Sequence, residues 1–232
     1  GSSMKTISKV LQVCIIAVLP IFIILSAIRI NLTTIFISIE YRLPGFPEDH
    51  YGFTTDERLR WAEYSIDYLI GRVSHDDLSN TRLPNGKPLF NQRELDHMLD
   101  VQVLTQQALK LWHLLILFLL VVLLIFYLTG LKREFLASLK SGAVATILII
   151  IAVFIYVALN FNQLFTQFHQ IFFEGDSWLF LFSDTLIRLF PLRFWRDLFI
   201  FIGILSVLFS LIIISISNGK KSAKQNNPKI VC

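Results

Sequence analysis

Four apolar runs, Val10 to Ile28, Leu111 to Gly130, Gly142 to Leu159 and Leu198 to Ser217, are separated along the chain by two long polar stretches and one short one. Each run approaches the roughly 20 residues with which a helix crosses about 30 Å of hydrocarbon. The pattern predicts an all-α integral membrane protein with four transmembrane helices. Pro20 falls inside the first run, where neighbouring helices in lipid can repair the hydrogen bond it removes. That run is long and lacks a small-x-small cleavage site before the next polar segment, so it reads as retained and not as a signal peptide. Gly1-Ser2-Ser3 ahead of Met4 reads as an expression scar. The expected organisation is one membrane domain over 4–217 and a basic tail over 218–232.

The polar stretch 29–110 is too short and too poor in apolar strands to suggest an independent domain. Thr54-Thr55-Asp56-Glu57 has capping-box spacing and Gly71 is a plausible stop, which predicts a helix between them carrying Trp61, Tyr64, Ile66, Tyr68 and Leu69. The turn-forming stretches Pro44-Gly45-Phe46-Pro47 and Pro84-Asn85-Gly86-Lys87-Pro88 bracket it, and the remainder is expected to be irregular. Asn91-Gln92-Arg93-Glu94 again has capping spacing, and neither proline nor glycine follows until Gly130. The second span therefore gains a polar forward extension from Glu94 to Lys110. On it Glu94, His97, Val101 and Leu104 share one face, with Asp96 and Asp100 nearby.

Composition changes this picture little, but charge orients it. Hydrophobic residues make up 54% of the chain and the mean hydropathy is +0.62, above ordinary globular composition. The termini and the turn between the second and third spans hold 9 Lys and Arg against one acid, Glu134, whereas 29–110 holds 9 basic and 12 acidic residues and 160–197 holds 3 and 4. Positive residues stay inside. Both termini are thus expected in the cytoplasm, with the two larger polar segments on the extracytoplasmic side, and the net charge of +4 needs no nucleic acid to explain it. Cys14 in the first span and Cys232 at the end of the tail are poorly placed for a disulfide, and neither reads as catalytic.

Candidate chemistry concentrates where the third span should end. Phe168-His169-Gln170-Ile171-Phe172-Phe173-Glu174-Gly175-Asp176-Ser177-Trp178 places a histidine, two acids, a serine and a tryptophan at that junction, and polar groups there are a site hypothesis by default. Asp184-Thr185-Leu186-Ile187-Arg188-Leu189-Phe190-Pro191 and Phe194-Trp195 continue it. Together with Glu94-Leu95-Asp96-His97-Met98-Leu99-Asp100-Val101, these words resemble the bacterial lipoprotein intramolecular transacylases. The similarity covers the four-span layout and most of the outer segments, and is weaker over Asn31 to Gly52. The resemblance implies an acyltransferase that moves the sn-2 acyl chain of a lipoprotein's diacylglyceryl-cysteine onto the α-amino group of the same cysteine. The product would be an N-acyl, S-monoacylglyceryl lipoprotein. It implies a diacylated lipoprotein substrate and membrane lipid as partners, with no nucleic acid, no required protein partner and no cofactor.

Amine attack on an ester needs a base for the ammonium proton, stabilisation of the oxyanion and an acid for the departing glyceryl oxygen. Imidazole, with a reference pKa of about 6.5, suits an α-amine of about 7.7 to 8.0. Direct attack closes a ring of about eight members, and holding both ends close could supply much of the ~7 to 11 kcal/mol available from positioning. A histidine relay that first accepts the acyl group is the alternative. His169 is expected to be base or acyl acceptor, and His97 its acid-base or electrostatic partner. Asp100 and Asp176 are candidate orienters, Arg188 a candidate oxyanion or headgroup contact, and Trp178 and Asp184 candidate substrate contacts. His50, His75 and His113 read as loop or interface residues.

Rival readings remain open. Gly175-Asp176-Ser177 resembles the opening of a serine lipase motif, without the wider Gly-x-Ser-x-Gly elbow, and would make Ser177 a nucleophile in a membrane lipase or esterase. Glu94-Leu95-Asp96-His97 has Glu-x-x-His spacing, but metal sites of that kind need two copies, so no metal is expected. A non-catalytic membrane sensor or assembly protein is the third alternative. The near absence of ionisable residues inside the spans argues against transport.

Overall fold

The computed structural model describes residues 2–222, and every helix or strand element among them is helical: α1 (Ser2–Asn31), α2 (Thr34–Glu40), α3 (Thr55–Leu69), α4 (His75–Asn80), α5 (Gln92–Leu128), α6 (Lys132–Phe172), α7 (Thr185–Leu189) and α8 (Leu192–Ser222). One isolated antiparallel bridge joins Arg82 and Pro88. Gly1 of the expected scar and 223–232 of the expected basic tail, with Cys232, lie outside the described residues. Four helices, α1, α5, α6 and α8, are long and apolar enough to cross a membrane, and they contain the predicted apolar runs apart from the last two residues of the second. At about 1.5 Å per residue, α5 and α6 are roughly twice as long as a hydrocarbon core is thick. Each therefore carries its apolar run and a long extension.

The helix ends follow local chemistry. The Thr54 hydroxyl accepts from the Glu57 N–H while the Glu57 carboxylate accepts from the Thr54 N–H, the reciprocal box that starts α3. The same exchange between Asn91 and Glu94 starts α5, at 3.0 and 2.7 Å. Gly71, at φ +83°, turns the chain out of α3 in a conformation that a side chain would disfavour. α6 breaks at Asn160 (φ −161°, ψ 82°), where the Asn160 side-chain oxygen accepts from the Gln163 N–H and starts a second helical piece leading to His169. The break falls one residue beyond the predicted apolar run.

The chain divides into two compact units. Among the described residues the first comprises 2–27, Trp112–Phe154 and 203–222. Ile15, Val122, Phe126 and Phe135 pack in one cluster there, and Leu19, Ile23 and Ala143 in another. Small residues permit close approach: a Cβ on Gly142 would stand 2.9 Å from Leu19, and one on Gly203 would collide with the Phe154 ring. Buried hydroxyls such as Thr146 and Ser210 return to carbonyls of their own helices. On α5, Leu114, Leu117, Leu120, Leu124 and Leu128 stay exposed as an apolar stripe, the face a lipid-embedded helix presents.

The second unit comprises Ile28–Leu111 and Ile155–Ile202. Its polar segments form helices and a core of their own, which corrects the expectation of irregular structure. Phe36, Ile37, Tyr41, Tyr68, Leu89 and Leu189 are among the buried residues of that core. It forms because segments with little apolar periodicity are pinned by polar side chains to backbone far away in sequence. Gln102 and Gln106 of α5 donate to the carbonyls of Tyr68 and Leu69 at the end of α3. The five-residue α7 is held from several sides. The Tyr41 hydroxyl donates to the Leu189 carbonyl, the buried Arg58 guanidinium donates twice to the Arg188 carbonyl, and the Thr185 hydroxyl donates to the Leu89 carbonyl.

Candidate active site

His97 and His169, 72 positions apart in sequence, meet in the second unit. Their ring centroids are 5.9 Å apart and the rings are inclined by 23°. Both side chains are buried, at 8% and 7% exposure, so neither is a solvated surface histidine. α5 supplies His97 one turn beyond its capped start, and the second piece of α6 supplies His169 near its end. Phe173 lies against both rings, with centroids 4.9 Å from His97 and 5.5 Å from His169. Phe180 adds a face to His97 at 5.4 Å; Phe165 at 4.2 Å and Trp178 at 4.8 Å enclose His169.

The hydrogen bonds set the rings apart. Nδ1 of His169 lies 2.8 Å from the Phe165 carbonyl, an acceptor only, so in a neutral ring this nitrogen carries the proton. Nε2 is then left with its lone pair, as a base or nucleophile requires. Nδ1 of His97 is buried with no partner. Among the described residues no carboxylate forms an ion pair with either ring. A positive charge in this aromatic enclosure would be costly, and two adjacent imidazolium rings would repel.

The remaining candidates fall in different places. Trp178 packs on His169 as described and anchors its indole N–H on the Gly175 carbonyl at 3.2 Å. Asp184 accepts from Asn91, from Arg93 and from the Leu181 N–H, so it fastens its own loop to the start of α5. Asp100 and Asp176 are exposed, and no hydrogen bond joins either to an imidazole, so an orienting role finds no contact here. His169 is oriented by a backbone carbonyl instead. Arg188 is occupied: its guanidinium makes two bonds to Asp49, at 2.9 and 3.0 Å, and lies 3.7 Å over the Phe53 ring. Burial opposes ionisation of Asp49, but Arg188 and the N–H groups of Phe53 and Tyr51 outweigh it and hold the carboxyl below its usual range. An oxyanion role for Arg188 would require leaving that partner.

Ser177 Oγ is buried and without a hydrogen-bond partner, so the serine–histidine contact that activates a lipase nucleophile is absent. Both oxygens of Glu94 accept from backbone N–H groups, Oε2 from Asn91 and Oε1 from Leu186 at 2.7 Å. No group of three or more metal-ligating side chains gathers among the described residues. A surface cavity of about 460 Å³ lined by Arg60, Trp61, Glu63, Tyr64, Asp67, Thr81 and Arg82 contains neither histidine. Sequence reasoning missed the contributions of Asp49, Arg58 and Glu94, and of Phe165 and Phe180 as walls of the site. Only Glu94 carried a signal, in its cap spacing and its i, i+3 relation to His97.

Four helices long and apolar enough to cross a membrane define the class, an integral membrane protein, and its second unit holds a buried histidine pair beside an aromatic loop. Residues 13–195 match the sequence model of the family described as "Lipoprotein intramolecular transacylase Lit", and the chain belongs to that family. It is accordingly an acyltransferase of the lipoprotein intramolecular transacylase class. A relative from Aquifex aeolicus, described only as an uncharacterized protein, is 32% identical over 208 residues, covering 89% of this chain and 92% of its own. The fold matches the in meso structure of the membrane integral lipoprotein intramolecular transacylase Lit from Bacillus cereus, with a TM-score of 0.74 at 17% identity over 96% of this chain and 100% of that one. A form of the same enzyme with one histidine replaced by alanine matches with a TM-score of 0.69 at 17% identity, over 97% and 99% of the two chains.

Proposed function

We propose that this chain moves the sn-2 acyl group of a diacylglyceryl-cysteine at a lipoprotein N-terminus to the α-amino group of that cysteine, using His169 and His97 at the extracytoplasmic face of the membrane. The observation that carries the reading is the buried pair of stacked imidazoles, one of them fixed by a backbone carbonyl so that Nε2 can accept a proton. The distribution of lysine and arginine supports both termini in the cytoplasm and the site on the opposite side.

In the direct route the amine nitrogen attacks the ester carbonyl carbon, a C–N bond forms, and the carbonyl electron pair moves to oxygen. Nε2 of His169 takes the proton that the nitrogen sheds. The oxyanion then collapses, the bond to the glyceryl oxygen breaks, and a proton held by the imidazole pair passes to that oxygen. Ester and amine become amide and alcohol, and no water is consumed. Aromatic walls around the pair keep water from competing as nucleophile. In the relay route His169 carries the acyl group between ester and amine, and an amine-blocked substrate would leave an acyl group on the enzyme.

The balance supplies a direct test. Purified protein in detergent is given a diacylated lipopeptide with no other component. Transacylation leaves the mass unchanged, blocks the α-amine and converts one hydroxylamine-labile ester into a stable amide. Loss of a fatty acid with a free amine would instead establish the lipase reading, and unchanged substrate would reject both.

A further inference from the structure

Glu94 makes more contacts than a helix cap requires. Its Oε2 completes the box with the Asn91 N–H, which suffices to start α5, yet the carboxylate is only 1% exposed and its Oε1 accepts from the Leu186 N–H, 92 positions away. Residues just before it in the chain work on the same target: Asn91 and Arg93 both donate to the Asp184 carboxylate. The start of α5 thereby grips the chain at 184–186. At its other end this loop leaves α6 through the Phe173 N–H, which donates to the His169 carbonyl at 2.8 Å. From Phe173 to the second anchor the loop carries Phe173, Trp178 and Phe180, three of the rings packed against the histidines. Arg93 also stands 5.7 Å over the Phe180 ring, and Phe180 covers His97, three residues beyond Glu94 on the same helix.

We propose that Glu94 is a positioning residue for transacylation, a latch whose bond to the Leu186 N–H holds the 173–184 loop and its aromatic rings in register over His97 and His169. The proposal rests on the function assigned above. A carboxylate suits the task because it accepts from both backbone N–H groups at once, whereas an amide offers a single acceptor oxygen. Releasing the loop shifts rings that touch both imidazoles, and displacement of about 1 Å at a reacting group can lower turnover on the order of 100-fold.

The test compares Glu94→Ala, Glu94→Gln and Thr54→Ala on the diacylated lipopeptide, with kcat, KM and amide hydrogen exchange measured in detergent. Thr54 makes the corresponding cap at α3 without touching 184–186, so it reports what loss of a cap alone does. Glu94→Ala is expected to lower kcat by roughly 100-fold with KM within about threefold, Glu94→Gln to fall by about 10-fold, and Thr54→Ala to stay near wild type. Exchange at the Leu186 amide should rise in Ala and, less, in Gln. Should the alanine variant not fold, the glutamine variant decides. A kcat within about threefold of wild type in a folded Glu94 variant, or an equal loss in Thr54→Ala, overturns the proposal. Wild-type protein that leaves the lipopeptide unchanged fails at the function itself and takes the positioning role with it, a different outcome from an active wild type with an unaffected Glu94 variant.

Discussion

The two units of this protein are held together by different chemistry. In the first, long helices meet through Leu, Ile, Phe and glycine, and polar links such as Trp112 to Ser26 and Lys140 to Asn218 are side chain to side chain. In the second, short helices are tied by carboxylates, guanidinium groups and hydroxyls to backbone groups as far as 148 positions away. Apolar surface gives no preference between lipid and a neighbouring helix, so the first unit depends on shape. The second must fix two imidazoles and their walls within fractions of an ångström, and directional bonds do that. The paired histidines thus sit where the chain is least periodic and most cross-linked.

Breaking a cross-link should therefore cost more than trimming a lipid-facing side chain. The largest stability effect is expected for Asp49→Ala, which leaves the largely buried Arg188 without its partner, at about 3 to 5 kcal/mol. Thermal unfolding in detergent measures it, and a loss below about 1 kcal/mol would place Arg188 among ordinary surface ion pairs. Gly203→Val tests shape in the first unit. Its new side chain meets the Phe154 ring and should cost roughly 1 to 3 kcal/mol, with unchanged stability showing that the interface yields easily.

A smaller, pH-dependent effect belongs to Glu40. This fully buried carboxyl is pushed up to about 7, first by burial and next by the facing Asp197, against the opposing pull of Arg193 and Arg196. The folded state therefore holds a proton that the unfolded state, at 4.5, releases earlier. Stability from this group is complete below about pH 4.5 and is lost as pH rises through about 7. Glu40→Gln should stabilise by on the order of 2 kcal/mol above pH 8 and by little below pH 5. A gain independent of pH would remove ionisation as its cause. The smallest effect is expected for Leu124→Ala on the exposed stripe of α5, within about 0.5 kcal/mol. A larger loss would mean that this side chain meets protein.

What could be read in advance follows the same division. The apolar runs announce the membrane helices, and the spacings Thr54 to Glu57 and Asn91 to Glu94, with Gly71 as stop, give helix ends to within a residue because caps are local. His97 and His169 were legible as a pair through wording and an assumed return of the helix. The second unit's core was not, because Asp49 with Arg188, Tyr41 with Leu189 and Arg58 with Arg188 are 130 or more positions apart and leave no period in the chain. The pairing of Arg188 with Asp49 was hidden for the same reason: a basic residue in an aromatic loop looks available until its carboxylate is found. Asp100 stands beside His97 in sequence but on the exposed side of α5, which proximity along the chain could not reveal.

The central claim is that paired imidazoles carry the transfer. Its most direct measurement is turnover of a diacylated lipopeptide to the N-acyl isomer by His97→Ala, His169→Ala and Ser177→Ala, with thermal unfolding recorded alongside. Each histidine variant should remain folded and lose at least about 100-fold, the lower end of what general acid–base groups supply, while Ser177→Ala stays substantially active. Turnover by both histidine variants together with an inactive, folded Ser177→Ala would contradict the account and transfer the chemistry to the serine.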